Sequence, residues 1–214
     1  MMEWKQIPLG PLQTNSYVIY NEQKNALIVD PGGDGKSFVE WLKNEELKPQ
    51  AIMLTHAHFD HIGGVEDVRE AYKIPVFLHK NEEEWLTDPQ LNGSGLFPGI
   101  EPIRAAKADQ IIAKEGPFEI GDFHCQVYET PGHSPGSISF YFPEQAVIFS
   151  GDVLFRGGVG RTDLPGGDEG TLMDTIHHKM LSLPDDTSVA NGHGPVTTIG
   201  AEKETNPFIN GFGW

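Results

Sequence analysis

Three histidines and one aspartate lie within the short segment THAHFDH, residues 55–61. Imidazole and carboxylate side chains together suit divalent zinc, manganese or iron. His56 and His58 are two residues apart, so in an extended segment they point the same way and can bind one ion. Asp60 and His61 are adjacent and stand where a helix would begin, so they can turn toward a second ion. The segment therefore predicts a metal site.

Three further candidate ligands occur downstream, each in a turn that contains glycine. They are His133 in TPGHSPG, Asp152 in SGD and His193 in NGHGP. Any one of them alone would be interpreted as a surface or hydrogen-bonding residue. Together with the first segment they make a set of seven, which exceeds the needs of one tetrahedral zinc and fits two ions that share a bridging carboxylate.

Some of these residue types have competing interpretations. Asp60 alone could cap a helix N-terminus, although three neighbouring histidines favour metal binding. The four other histidines have no comparable setting and are interpreted as structural or solvated: His79, His124, His177 and His178. The single cysteine, Cys125, lies at a predicted strand start and is interpreted as a buried structural thiol.

The elements that must position these residues alternate between short strands and helices. Three helical patterns are predicted at 36–47, 65–72 and 169–181. Eight apolar, β-branched runs predict strands: Ser16–Tyr20, Ala26–Val29, Ala51–Leu54, Val76–Leu78, Cys125–Tyr128, Ser137–Phe142, Ala146–Phe149 and Thr187–Ala190. The mixture indicates an α/β or α+β fold.

Five of the predicted strands end in a turn rich in glycine or polar residues: ALIVD-PGG, AIMLT-HAH, QVYET-PGH, AVIFS-GD and TSVAN-GHG. Loops beyond the carboxyl ends of strands can converge on one crevice, so these turns are expected to assemble the site. The longest irregular stretch, Asp88–Lys107, is expected to be either a functional lid or a disordered loop.

Composition limits the classes of partner. The 214 residues carry 15 Lys and Arg against 31 Asp and Glu, for a net charge of −16. That charge disfavours a nucleic-acid partner, because affinity for phosphate backbones depends on basic side chains. A lone cysteine, no apolar run that could span a membrane and no export signal lead us to expect a soluble, cytoplasmic protein with no membrane partner.

The motif T-H-x-H-x-D-H, followed by G-H, G-D and G-H-G, resembles the metallo-β-lactamase superfamily over nearly the whole chain. The resemblance implies a four-layer αβ/βα sandwich in one domain over residues 1–214. It also implies two divalent metal ions, with zinc expected and iron or manganese as alternatives. The implied ligands are His56, His58 and His133 for one ion, Asp60, His61 and His193 for the other, and Asp152 as the bridge.

Within that superfamily, the segments GDVLF, GRTD and ETNPF are similar to those of short glyoxalase II-like hydrolases. This likeness implies hydrolysis of a small acyl-thiol substrate, such as an S-2-hydroxyacyl thiol, by a hydroxide held between the ions. Asp60 would also orient the hydroxide or pass a proton. Only about 20 residues follow His193, so we do not expect the C-terminal helical domain with which full-length glyoxalase II grips glutathione.

Other functions remain open from the sequence. A mononuclear iron persulfide dioxygenase would use His56, His133 and Asp152, and a lactone hydrolase would use the same hydroxide attack. A metal-binding module without turnover is a third alternative. Around the site, Asp30 and Thr55 are candidate partners of the histidines. Arg161 is expected to pair with Asp163 or, alternatively, to reach an anionic substrate. The oligomeric state is left open.

Overall fold

The computed structural model describes residues 2–211, and the chain divides into two compact units, Met1–Ala113 and Lys114–Trp214. Each unit contains one six-stranded sheet and three α-helices. Within the described range, no helix is long and apolar enough to cross a membrane.

The first unit is built on a mixed sheet in which the strands follow their sequence order. Strands β1 to β3 pair antiparallel, and β3 to β6 pair parallel. Their bounds are β1 Glu3–Leu9, β2 Thr14–Tyr20, β3 Asn25–Val29, β4 Lys48–Met53, β5 Val76–His79 and β6 Gln110–Ile112. The central parallel strands are buried on both faces, which explains why they read as continuous apolar runs.

Helices follow two of these strands and bury one face each. They are α1 Gly35–Asn44, α2 Phe59–Ile62 and α3 Val65–Tyr72. Phe38, Val39 and Leu42 of α1 share a stripe at helical spacing and are buried in the core of this unit. Val65 and Val68 do the same for α3. The parallel β3–α1–β4 connection places the carboxyl ends of β3 and β4 side by side.

The second unit has a sheet in the order β14-β13-β10-β9-β8-β7, in which only the β10–β13 pair is parallel. The strands are β7 Gly116–Ile120, β8 Phe123–Glu129, β9 Ile138–Phe142, β10 Val147–Gly151, β13 Ser188–Asn191 and β14 Thr197–Thr198. A separate hairpin joins β11 Leu154–Phe155 and β12 Gly158–Val159. The helices are α4 Glu169–His178, α5 Ile199–Thr205 and α6 Pro207–Asn210.

All eight predicted strands are present, and no end differs from the prediction by more than three residues. The predicted helices at 36–47 and 169–181 end earlier, at Asn44 and His178. Shortly after the first of these ends, Glu46 adopts a left-handed backbone with φ of 58°, which a continuing helix does not permit. Strand β1 was not predicted, because its residues are mostly half-buried and its sequence lacks an apolar run.

The stretch from Asp88 to Lys107 contains no helix or strand, as predicted, but it is a folded loop rather than a disordered one. Asn92 is completely buried and donates to the carbonyl oxygens of Trp85 and Ile103, at 3.0 Å each. Its side-chain oxygen accepts from the backbone N–H and hydroxyl of Ser94. One buried amide therefore closes the loop on itself.

Candidate metal-binding site

The first group of candidate ligands lies beyond the carboxyl ends of β3 and β4. These strands are parallel neighbours, and Val29 pairs with Met53. Asp30 and Thr55 follow them and meet: the Thr55 N–H donates to Asp30 Oδ1 at 2.8 Å and its hydroxyl to Oδ2 at 2.6 Å. Both side chains are buried. The sheet thus fixes an ionisable group at the base of the THAHFDH segment.

Asp30 and Thr55 also hold two histidines of that segment, as expected for partners of metal ligands. His61 Nδ1 lies 2.9 Å from Asp30 Oδ2, and His56 Nδ1 lies 3.0 Å from the Thr55 hydroxyl oxygen. Since the carboxylate only accepts and the threonine proton is given to Asp30, both Nδ1 atoms act as donors. This tautomer makes Nε2 of each ring the lone-pair donor that a metal ion requires.

Asp30 itself could be considered a ligand. One ligand atom each from Asp30, His56 and His61 lie within 4.8 Å of one another. However, both carboxylate oxygens of Asp30 already accept hydrogen bonds from Thr55, and one also accepts from His61. We therefore interpret Asp30 as the partner that orients the imidazoles.

His58 stands beside the other two rings. The ring centroids of His56 and His58 are 4.8 Å apart, and those of His56 and His61 are 4.1 Å apart. Between His56 and His58, the Ala57 N–H donates to Glu82 Oε2 at 2.6 Å, and Glu82 is completely buried. Glu82 therefore fixes the backbone of Ala57, which separates the two histidines. With this two-residue spacing, both imidazoles point to the same side of the segment.

Asp60 is the fourth candidate in this group. Its carboxylate Oδ2 accepts from the Thr14 hydroxyl at 2.8 Å and lies 3.6 Å from His61 Nε2. It stands in the first turn of α2, whose N-cap position belongs to His58, so capping does not account for it. Gly32 packs closely against this backbone, and a Cβ at Gly32 would lie 2.0 Å from the Asp60 carbonyl oxygen, so a side chain there would displace Asp60.

In the second unit, the parallel pair β10–β13 brings Asp152 and His193 together. Gly151 pairs with Asn191, and the Gly192 N–H donates to the Gly151 carbonyl at 2.9 Å. Just beyond these strands, one residue after β10 and two after β13, Asp152 Oδ2 lies 3.3 Å from His193 Nε2. The carboxylate and the imidazole thus share one end of the sheet.

His133 reaches the same carboxylate from the loop after β8. Its Nε2 lies 3.7 Å from Asp152 Oδ2, and its Nδ1 donates to the Arg161 carbonyl oxygen at 2.7 Å. A Cβ on Gly160 would lie 1.9 Å from the Asp152 carbonyl oxygen and 3.2 Å from His133 Cβ. The absence of a side chain at Gly160 is therefore what allows this close approach. All seven predicted ligands accordingly fall into two groups, four in the first unit and three in the second.

These donor sets fit divalent metal ions. Each group combines imidazole with carboxylate, which suits zinc, iron or manganese. His56, His61 and His133 all have Nδ1 engaged from behind, the arrangement typical of histidines that bind a metal through Nε2. The imidazoles of His56, His58, His61 and His133 are also buried, and such groups are costly to bury without a function.

Two further expectations concern residues around the site. The Arg161 guanidinium binds both oxygens of Asp163, at 2.7 and 2.8 Å, so the ion pair is the interpretation that holds. This hydrogen-bonded pair lowers the pKa of Asp163 to about 2. Cys125 is buried, as predicted, and burial raises its pKa to about 12, so the thiol is not a nucleophile at neutral pH.

The remaining histidines lie where the sequence suggested. His79 is buried and its Nδ1 accepts from the Asn81 N–H, as the cap of a short helical turn. His124, His177 and His178 are exposed. Sequence reasoning missed Thr14 and Glu82, which position Asp60 and the His56–His58 backbone. Neither carries a local signal, since each acts on a segment tens of residues away.

Comparison with known proteins places the chain in a family. A protein-family model described as the metallo-beta-lactamase superfamily matches residues 9–193 of the chain. A protein of Bacillus subtilis (strain 168) named probable metallo-hydrolase YqgX is 51% identical over 99% of each chain. A protein of Haemophilus influenzae named hydroxyacylglutathione hydrolase GloC is 37% identical over 95% of this chain and 96% of its own.

Comparison with solved structures gives the same family. The structure titled BLEG-1 B3 metallo-beta-lactamase has a TM-score of 0.95 and 56% identity, and it covers 97% of this chain and 99% of its own. The structure titled TTHA1623 in a di-iron-bound form has a TM-score of 0.82 and 39% identity, covering 95% and 99%. The fold is thus the metallo-β-lactamase fold with mixed sheets, and the chain belongs to the metallo-β-lactamase superfamily of metallohydrolases.

Proposed function

We propose that the protein is a dinuclear metallohydrolase that cleaves a thioester, with an S-2-hydroxyacyl thiol as the substrate class. The observation that carries the proposal is the donor set, in which buried imidazoles are oriented through Nδ1 by Asp30, Thr55 and the Arg161 carbonyl. The relative named hydroxyacylglutathione hydrolase, at 37% identity, supports the choice of a thioester.

In this proposal all seven residues are ligands of two ions. By the assignment that the family motif implies, His56, His58 and His133 would hold one ion, Asp60, His61 and His193 would hold the other, and Asp152 would serve both. When bound, such ions would supply a nucleophile by lowering the pKa of water toward neutrality. Asp60, held by Thr14, would orient the nucleophile and take its proton. The neighbour solved with two irons supports a dinuclear site and keeps iron beside zinc as a candidate.

The test is elemental analysis of the native protein, followed by a panel of thioesters in which released thiol is measured. We expect close to two metal equivalents per chain and thioester cleavage that a chelator abolishes and added zinc or iron restores. Fully metallated protein that releases no thiol from any thioester would contradict the proposal.

A second candidate is β-lactam hydrolysis, favoured by the 56% identity to a structure titled as a B3 metallo-beta-lactamase. The same nucleophile would open the strained amide ring. Hydrolysis of a chromogenic cephalosporin, measured beside the thioesters, ranks the two activities by kcat/KM. Lactones and a glutathione persulfide with oxygen uptake complete the panel. Oxygen consumption with a single bound iron would instead identify a dioxygenase.

A further inference from the structure

A cavity of about 370 Å³ opens beside Asp60 within the first unit. One wall is the turn between β1 and β2, and the other is the part of the irregular loop from Gly99 to Ile103. Thr14 and Asp60 lie at its polar end, where the Thr14 hydroxyl bonds the Asp60 carboxylate. The cavity therefore begins at a residue that the proposed reaction uses.

The body of the cavity is apolar. Apart from Thr14, Asp60 and Glu101, the side chains that line it are apolar: Leu9, Pro11, Leu12, Phe59, Ile100 and Ile103. Leu12 is 49% exposed although it is a large hydrophobic residue, and a bound apolar group would cover it. A concave, mostly apolar cleft with a few polar groups at one end is the usual form of a small-molecule site.

Charge narrows the ligand further. Among the described residues that line the cavity, none is basic, and the two ionisable side chains are the carboxylates of Asp60 and Glu101. An anionic group would meet two negative charges with no cation to offset them. The lining thus selects an uncharged group.

Both walls are fixed by hydrogen bonds, so the cavity is preformed. In the turn, the Gly10 N–H donates to Asp34 Oδ2 at 2.8 Å, and the Gln13 amide donates to the Gly10 carbonyl at 2.8 Å. In the loop, the Ile103 N–H donates to the Ser94 hydroxyl at 2.9 Å. Preformed walls reduce the entropy lost on binding and allow the cavity to discriminate by size.

We infer that this cavity is the acyl-binding pocket, and that it takes an uncharged aliphatic or aromatic acyl chain whose carbonyl lies beside Asp60. The inference rests on the proposed thioesterase function and narrows the proposed substrate from an S-2-hydroxyacyl thiol in general to one with an apolar tail. Leu12 and Ile100 determine chain-length preference, and Glu101 rejects acyl chains that end in a carboxylate.

The experiment uses the metal-loaded protein and two matched series built on one small neutral thiol. The first series is the 2-hydroxy forms of the acetyl, butyryl, hexanoyl and adipoyl thioesters, assayed for kcat/KM. The second is the corresponding ketones, in which a methylene group replaces the thioester sulfur, assayed for binding by calorimetry. We expect kcat/KM of the thioesters and the association constant of the ketones each to rise about fourfold for every methylene group added to the acyl chain, until the cavity is full.

Variants separate the pocket from the reaction. Leu12→Asp should abolish the dependence on chain length in both assays. Leu96→Asp, at a 41% exposed leucine of the irregular loop that does not line the cavity, should preserve it. Glu101→Gln should raise kcat/KM and the association constant for the adipoyl compounds relative to those for the hexanoyl compounds.

The outcomes distinguish the two proposals. Cleavage without any chain-length dependence, or a Leu12→Asp variant that matches the unmodified protein, overturns the pocket while leaving thioester hydrolysis intact. Length-dependent ketone binding that Leu12→Asp removes, with no thioester cleaved, supports the pocket and overturns the proposed reaction.

Discussion

The two groups of candidate ligands are built in different ways. In the first unit, four ligands come from residues 56–61, a single turn that leads from a strand into a helix. In the second unit, three candidates come from loops spread over residues 133–193. Asp152 and His193 meet through the parallel pairing of β10 with β13, and His133 joins them from the loop after β8. The first group is local in sequence, and the second exists only after the sheet has formed.

The orienting partners differ as well. His61 of the first group is held by the Asp30 side chain, whereas His133 of the second is held by a backbone carbonyl, that of Arg161. A side-chain partner can be removed by substitution. A backbone partner cannot, so the second group is sensitive mainly to changes that displace the backbone, such as a side chain at Gly160. The following predictions test this difference.

The largest effect is expected from the ligands themselves. Asp152→Ala should remove turnover and lower the bound metal more than His58→Ala does, because the proposed bridge serves two ions and His58 serves one. His124→Ala, in an exposed position, is the control. Elemental analysis and thiol release measure both quantities. Activity at the level of the unmodified protein in either ligand variant would contradict the assignment.

The next effect concerns the side-chain partner. Asp30→Asn removes the acceptor charge behind His61, and loss of such a partner typically weakens metal binding about 10–100-fold. Glu40→Gln removes the same charge from an exposed site on α1 and should leave affinity unchanged. Competition with a chromophoric chelator gives the affinities. Equal affinity in both variants would show that Asp30 does not orient the ligands.

Backbone displacement should show in the second group. Gly160→Ala places a methyl group against the Asp152 carbonyl, and overpacking of this kind costs about 1–3 kcal/mol of unfolding free energy. Metal affinity should fall with it. Gly170→Ala, in α4 with its nearest neighbour atom at 3.6 Å, should be neutral or stabilising by up to about 1 kcal/mol. Urea unfolding of the metal-free protein gives the free energy of unfolding of both variants. Similar values for Gly160→Ala and Gly170→Ala would contradict the steric argument.

The smallest effect is expected at the exposed ion pair. Arg161→Ala should return the pKa of Asp163 from about 2 toward its ordinary value near 4, as followed by NMR titration. Because the pKa is lowered in the folded state, the pair stabilises the protein above pH ~4, and this contribution is lost as the pH falls toward 2. Metal content should not change, since the Arg161 carbonyl that holds His133 remains. A loss of metal in Arg161→Ala would show that the Arg161 side chain, and not only its carbonyl, helps to position His133.

Much of the fold could be predicted because its strands are buried and apolar. The central strands of both units are short, mostly apolar runs, and their predicted ends agree with the structure within three residues. Edge strands escaped prediction, since β1 has only half-buried residues and β14 is two residues long. Helix ends were overestimated because apolar periodicity does not report where the backbone turns left-handed, as at Glu46.

The candidate ligands could also be named from the sequence, because imidazole and carboxylate groups in glycine turns are chemically distinctive. The residues that position them could not. Thr14, Glu82 and the acyl cavity depend on side chains brought from distant segments, and a threonine or glutamate has no distinctive pattern of its own.

The amino-acid sequence alone therefore determined the family, the positions of the main strands along the chain and the identity of seven metal-ligand candidates. These follow from residue types and from short motifs. Only the tertiary structure decided which nitrogen of His56, His61 and His133 makes the hydrogen bond to the group behind the ring, and that Asp30 orients the imidazoles rather than binding a metal. Those properties depend on hydrogen bonds between residues such as Asp30 and His61, which approach within 2.9 Å only when parallel strands bring their ends together.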